Sequence, residues 1–390
     1  MKILFITDSG ILGGAAKSLI ELVCSLHDMY TVDITVCTSE WNELNLILEE
    51  YGIKSITDGH MSAMEVTPPV ENSLIRFNIR LKQAIQYRVT LKRSIKRLEK
   101  ELDLKSFDLI HTNSSRVDFG CYLSKKYHIP HVMHLREFGE EDFNCWCLRP
   151  FYYQHLHKEV TSFIAISEAV KKAWIQKGIG RNKIKVIYNG IDFQKIKKVN
   201  PKEQMENVEL KLVAAGGIFP TKGQYQIVEA IGRLPKDIRN NVSLAMYGWS
   251  DRNHIREIRH RAAKLGIGSQ VKWYGAKNDV YNILCQYHVG LTCSKSEGFG
   301  RVTAEYMHAG LAVIVSDTGA NPELIHDGKT GLVYHLDDYE DLASKIEKYY
   351  RDREFLVSSA SEAQKYAEEH YTKELNAGNI YQLYQKLTGN

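Results

Sequence analysis

At 390 residues the chain exceeds what one hydrophobic core ordinarily holds, which predicts two domains. Its 51 basic residues against 47 acidic ones leave a net charge of +4, too mild to point to nucleic acid. Seven scattered cysteines with no C-x-x-C pair predict reduced thiols in a cytoplasmic protein, and Cys145 and Cys147 lack a second ligand pair, so no metal is expected.

The opening run, Met1 to Asp8, is too short in apolar residues for a signal peptide and reads as a first strand. No run approaches the ~20 apolar residues of a membrane span. Further strands are expected at 31–37, 54–57, 108–112, 131–136, 162–166 and 185–188, most of them separated by helical patterns. Alternating β and α predicts a parallel sheet covered on both faces. Asn189-Gly190 marks a turn, and the polar stretch 195–207, with Pro201 inside it, reads as a linker. The pattern then restarts, with strands expected at 210–215, 243–247, 271–274, 289–293, 312–316 and 331–334, and a terminal helix at 373–387. Two such doubly wound domains in tandem would place a cleft between their sheet edges.

Residues 74–101 carry Arg76, Arg80, Lys82, Arg88, Lys92, Arg93, Lys96, Arg97 and Lys100 against only Glu99 and Glu101, with apolar residues near helical spacing. A basic amphipathic helix can lie on an anionic membrane; the same pattern also suits a surface helix whose apolar stripe faces its own sheet.

The stretch that organises the second half runs from Cys293 to Glu305. An apolar strand, 289–293, leads into Ser294-Lys295-Ser296-Glu297-Gly298-Phe299-Gly300, and a helix from Arg301 to Ala309 follows, closed by Gly310. Ligands of open α/β sheets bind at such strand-to-helix loops. Gly298 and Gly300 allow close approach to the backbone, and the helix start suits a phosphate. Two carboxylates there, Glu297 and Glu305, are costly unless something needs acceptors, and sugar hydroxyls do. Elsewhere, Gly13 and Gly14 open the first helix; Lys222 begins a helix after a strand; His134 and Arg136 end a strand; Glu323 follows a strand-to-helix turn. Each also has a plain alternative: a loop glycine, a surface lysine, a structural histidine, a carboxylate favoured by a helix dipole.

Glu297 and Glu305, with seven residues between them and Gly-Phe-Gly inside, resemble the motif of retaining glycosyltransferase family 4, enzymes of GT-B fold: two doubly wound Rossmann-like domains facing a central cleft. Phe163 to Val170, Val186 to Asp192, Lys222-Gly223, Gly319 to Glu323 and Gly328 to Gly331 extend the resemblance over nearly the whole chain. It implies an N-terminal acceptor-binding domain (1–197), a C-terminal nucleotide-sugar-binding domain (208–370) and a helix (371–390) returning to the first. It implies a donor site of Gly13, Gly14, Lys222, Gly298, Phe299, Gly300, Glu305 and Glu323, with Glu297 and His134 at the transferred sugar. The family often has Asp directly after this His, whereas here Leu135-Arg136-Glu137 follows, and Arg136 could pair Glu137 or bind a phosphate on the acceptor. The family usually has an arginine where this chain has Gly217; Arg301 is a candidate substitute.

The expected activity is metal-independent transfer, with retention, from a nucleotide-diphosphate sugar, UDP favoured. The acceptor would be a glycan or lipid-linked glycan in surface polysaccharide synthesis. No cofactor and no nucleic acid are expected; an anionic membrane surface is, through 74–101 at the inner face of a cell membrane. The absence of any Asp-x-Asp fits a diphosphate neutralised by helix ends and Lys222. A non-hydrolysing sugar-nucleotide epimerase and an inactive GT-B binding module are the rival readings.

Overall fold

The computed structural model describes residues 1–8, 13–204, 208–277 and 279–389. It divides into two compact units, Met1–Gly190 with Lys373–Asn390, and Ile191–Thr372.

The first unit contributes β1 (Lys2–Thr7), β2 (Asp33–Thr38), β3 (Lys54–Thr57), β4 (Met64–Val66), β5 (Leu109–Thr112), β6 (His131–Leu135), β7 (Cys145–Cys147), β8 (Ser162–Ala165) and β9 (Ile184–Val186). Seven of these form one parallel sheet in the order β3-β2-β1-β5-β6-β8-β9. The second unit contributes β10 (Leu210–Ala215), β11 (Val242–Tyr247), β12 (Val271–Trp273), β13 (Val289–Thr292), β14 (Ala312–Ser316) and β15 (Leu332–Tyr334), a parallel sheet in the order β12-β11-β10-β13-β14-β15. Both sheets are covered on two faces, so their inner strands are buried throughout: β5, β6, β8, β13 and β14 are buried at every residue, mostly apolar but with His111, His131 and His134 among them. This is the α/β architecture of the GT-B fold.

One pairing departs from the expected pattern. β4 and β7 form a small antiparallel ribbon, Met64 opposite Cys147 and Val66 opposite Cys145. Three residues each leave too little periodicity to read. The stretch expected as a linker is packed where it is described: Val199 donates its N–H to the Ala309 carbonyl.

The helix Lys373–Thr388 packs against the helix Gly14–Met29 and completes the first unit. Ala377, Ile380 and Tyr384 share a buried cluster with Ile3, Phe5 and Leu22. Tyr30 stacks on Tyr381 with ring centroids 3.9 Å apart. Inside, the Tyr384 hydroxyl and His111 Nδ1 share a hydrogen bond of 2.5 Å, and Asn376 donates to the Tyr188 carbonyl at 2.6 Å. Among the described residues no helix is long and apolar enough to cross a membrane.

Replacing Tyr384 by Phe strands a buried imidazole nitrogen without changing shape. Urea unfolding should show a loss of about 1–3 kcal/mol; an unchanged midpoint would mean this bond does not hold the terminal helix.

Candidate active site

In the second sheet the strand order reverses between β10 and β13, the switch point where open α/β sheets bind ligands. The loops leaving β10, β13 and β14 meet there through their backbones. Lys295 N–H donates to the Thr221 carbonyl at 2.8 Å, and Gln226 Nε2 to the Cys293 carbonyl at 3.2 Å. Gly223 has φ of +71°, and a Cβ on it would lie 2.0 Å from the Cys293 carbonyl oxygen. Ser316 and Thr318 hydroxyls both donate to the Ser294 carbonyl, at 2.7 and 2.6 Å. Ala320 N–H donates to the Glu297 carbonyl at 2.8 Å, and a Cβ on Gly319 would lie 2.4 Å from that oxygen.

This packing sets Lys222 against Glu297. Lys222 Nζ donates to Glu297 Oε2 at 2.7 Å, and the Ser294 hydroxyl donates to the same oxygen at 3.1 Å. The lysine side chain is 38% exposed, so the pair contributes about 1 kcal/mol at most. An incoming anion can therefore draw the lysine away at little cost.

Glu305 lies one turn into the helix Arg301–Ala309, whose N-cap is Gly300. It is buried, accepts from the Tyr281 hydroxyl at 3.1 Å and faces the Arg301 guanidinium at 3.7 Å. Each carboxylate of the motif thus has its own cation, which removes the charge problem that the bare sequence posed. Arg301 thus stands beside Glu305 at the start of the helix. Tyr281 was not legible in advance, since no motif marks it.

The ring of Phe299 is 2% exposed and meets Tyr371 edge-on at 5.6 Å. Only its backbone can serve a ligand; the side chain anchors the loop. Glu323 is half-buried at the start of a short helix, its N–H bonded to the Ala320 carbonyl. At Gly217 a Cβ would meet the Phe219 ring at 2.4 Å, so the space an arginine side chain would leave through is filled by an aromatic ring.

In the first unit Gly13 caps the helix Gly14–Met29 with φ of −83°, a conformation open to any residue. Residues 9–12 of that loop lie outside the described residues. His134 ends up fully buried in β6, beside His111 with ring centroids 5.4 Å apart. Its Nδ1 lies 3.4 Å from Arg136, and its Nε2 has no hydrogen-bond partner. Burial, then the Arg136 and His111 charges, holds His134 well below the usual imidazole range, so it is neutral at pH 7. Arg136 donates to Asn113 Oδ1 at 2.8 Å and to Asn189 Oδ1 at 2.7 Å. Glu137 accepts from the Ser115 N–H at 2.8 Å and its hydroxyl at 2.5 Å, and burial pushes its carboxyl up to about 6. His134 thus lies directly against Arg136.

Among the described residues one group of donors is close enough for a metal: Cys37, Asp58 and His60, all buried, with ligand atoms within 4.8 Å of one another. His60 Nδ1 is already 2.6 Å from Asp58 Oδ1. Cys145 and Cys147 pair as neighbours of β4 and show no such set.

Two family models cover most of the chain. Residues 12–195 match Glycosyltransferase Family 4, and residues 192–370 match Glycosyl transferases group 1. An uncharacterized 41.2 kDa protein of the cps region of Klebsiella pneumoniae is 27% identical over 257 residues, 61% of this chain and 68% of that one. The lipopolysaccharide core biosynthesis mannosyltransferase LpcC of Rhizobium leguminosarum is 32% identical over 127 residues, 32% of this chain and 35% of that one. The chain therefore spans between about a third and two thirds of these curated relatives. A crystal structure of Anabaena Alr3699/HepE in complex with UDP shares the fold, with a TM-score of 0.79, 21% identity, and coverage of 99% of this chain and 100% of that one.

Two stability predictions follow from this geometry. Gly319→Ala and Gly328→Ala both place alanine at positive φ, +57° and +75°, but only the first meets backbone; nothing lies within 4 Å of Gly328. Thermal unfolding should show a cost of about 1 kcal/mol for Gly328→Ala and clearly more for Gly319→Ala. Equal costs would mean the Gly319–Glu297 contact relaxes freely.

The second concerns pH. In the first unit His111, His131, His134 and His155 are all depressed, chiefly by burial, His131 to about 3 and His155 to about 4. Below pH 6.5 the unfolded chain takes up protons there that the native unit refuses, so stability falls on acidification. Glu137 and Asp118, both raised to about 6 chiefly by burial, act oppositely: their contribution is full below the unfolded values and fades as pH rises through 6. Each unmatched proton contributes about 1.4 kcal/mol per pH unit. Four imidazoles outweigh two carboxyls, so urea unfolding should show stability falling by about 3 kcal/mol per unit from pH 6 to 4.5.

Proposed function

Since the chain belongs to the group 1 glycosyltransferases of GT-B fold, we propose that it transfers a sugar from a UDP-sugar, with retention, to a glycan acceptor in surface polysaccharide synthesis. The observation that carries this is the pair of cation-matched carboxylates, Glu297 with Lys222 and Glu305 with Arg301, at the ends of adjoining parallel strands. The UDP held by the Anabaena protein supports the choice of nucleotide, and the Rhizobium mannosyltransferase supports a lipopolysaccharide-like glycan, carried on lipid, as acceptor.

In this reading the donor's diphosphate displaces Glu297 from Lys222. Freed, Glu297 accepts from hydroxyls of the sugar, while Lys222 and the backbone N–H groups of 298–300 meet the charge that grows on the leaving phosphate. Glu305 accepts from the ribose hydroxyls, taking them in exchange for Tyr281. Glu323 borders the nucleotide. The bond from the anomeric carbon to the phosphate oxygen breaks as the acceptor oxygen attacks the same face. The acceptor's proton passes to a donor phosphate oxygen, so no protein base is required. Arg136, held by Asn113 and Asn189 and backed by His134, faces the acceptor. No metal takes part, because Lys222 and the helix start neutralise the diphosphate.

The test is a panel of nucleotide sugars with lipid-extracted and free glycans, with and without EDTA, products followed by NMR. Transfer with retained anomeric configuration and indifference to EDTA is expected; an epimerised donor, or rescue of chelated enzyme by Mg²⁺, would overturn the reading. By calorimetry Glu305→Ala should lose about 1–3 kcal/mol of UDP affinity. Glu297→Ala should bind UDP as well as or better than wild type, since Lys222 is released, yet turn over far more slowly. Weaker UDP binding in that variant would place Glu297 on the nucleotide instead.

A further inference from the structure

The helix Ser73–Glu101 is buried only along its second half, while Arg80 and Gln83 of its first half bond to the Cys147 carbonyl and to Trp146. Tyr87, Leu91, Ser94 and Leu98, spaced four, three and four apart, are its buried residues. Tyr87 fixes it further, its hydroxyl 2.5 Å from Asp118 Oδ1. A different face carries a second stripe. Leu74, Phe77, Leu81 and Ile85, again three and four apart, are 74%, 64%, 49% and 56% exposed. The same line continues with Arg88, Lys92 and Lys96, all exposed. The stripe thus changes along its length, from apolar to cationic. No Asp or Glu occurs between residues 72 and 98.

We infer that this helix is an interfacial anchor for an anionic bilayer leaflet, its apolar ridge among the acyl chains and Arg88, Lys92 and Lys96 at the phosphates. Four bulky apolar side chains in one exposed row are unfavourable in water and suited to the headgroup boundary. Glu99, the carboxylate that closes this stripe, is hydrogen-bonded to Lys126 and Tyr127, and anionic headgroups would neutralise the cations before it. A second copy of this chain would bring the same unneutralised cations with it, which argues against self-association through this face. The inference rests on the proposed transferase reading only for its purpose, delivery to a lipid-carried acceptor; the binding itself stands apart.

The experiment is co-sedimentation of the full chain with phosphatidylglycerol-containing vesicles and with phosphatidylcholine vesicles, at low and high salt. Wild type should bind the anionic vesicles and weaken with salt. Arg88→Gln, Lys92→Gln and Lys96→Gln together should cost roughly tenfold and abolish the preference for anionic lipid. Leu81→Gln with Ile85→Gln should also cost roughly tenfold, and at both salts, because that loss is apolar. Leu81→Trp should shift its emission to the blue on vesicle binding. Failure of wild type to bind, or full binding by the Leu81/Ile85 variant, overturns the anchor. A concentration-dependent dimer lost in that variant would make the face a self-association surface and overturn it too. UDP binding, measured in parallel, shows that the variants fold, and its absence in wild type would count against the transferase reading alone.

Discussion

Backbone approaching backbone at the ends of parallel strands is the constraint on which the second unit's chemistry depends. The loops after β10, β13 and β14 touch through carbonyls and N–H groups with no room for a side chain between them, at Gly223 over Cys293 and at Gly319 over Glu297. That contact sets Lys222 and Glu297 within one hydrogen bond of each other although 75 residues separate them. A loop tied this way presents its polar groups without first having to be ordered, which is what stabilising a developing charge requires.

The first unit works by burial. His111, His134 and Arg136 lie inside it, where His111 meets the Tyr384 hydroxyl and Arg136 meets Asn113 and Asn189. Keeping the imidazoles uncharged leaves the guanidinium as the local cation, at the cost of acid sensitivity.

Much of this was legible in the residues. β1, β10 and β14 fall where their apolar runs predict, and the helix Arg301–Ala309 starts and stops on glycines as read. Buried parallel strands announce themselves as continuous apolar runs, so the fold class followed from order alone. The β4–β7 ribbon did not, because three-residue strands carry no period. Within the site, types and loops were readable but directions were not. Nothing in Gly-Phe-Gly says that the Phe299 ring turns inward, and nothing near His134 says that its strand is central enough to bury it. The stripe of 74–101 has two candidate faces at helical spacing, and only tertiary contact through Tyr87 and Leu91 decides which one is covered.

The closing helix has a consequence for biosynthesis. Ile191–Thr372 is contiguous in the chain, whereas the first unit needs Ala377, Ile380 and Tyr384 to fill its core. During translation the second unit can therefore finish before the first, reversing the usual N-terminal-first order. Until residue 384 leaves the ribosome, the helix Gly14–Met29 keeps an apolar flank uncovered and His111 lacks its phenol. A nascent chain stalled in between would hold one finished unit and one waiting, and the waiting one would be the natural client of a chaperone.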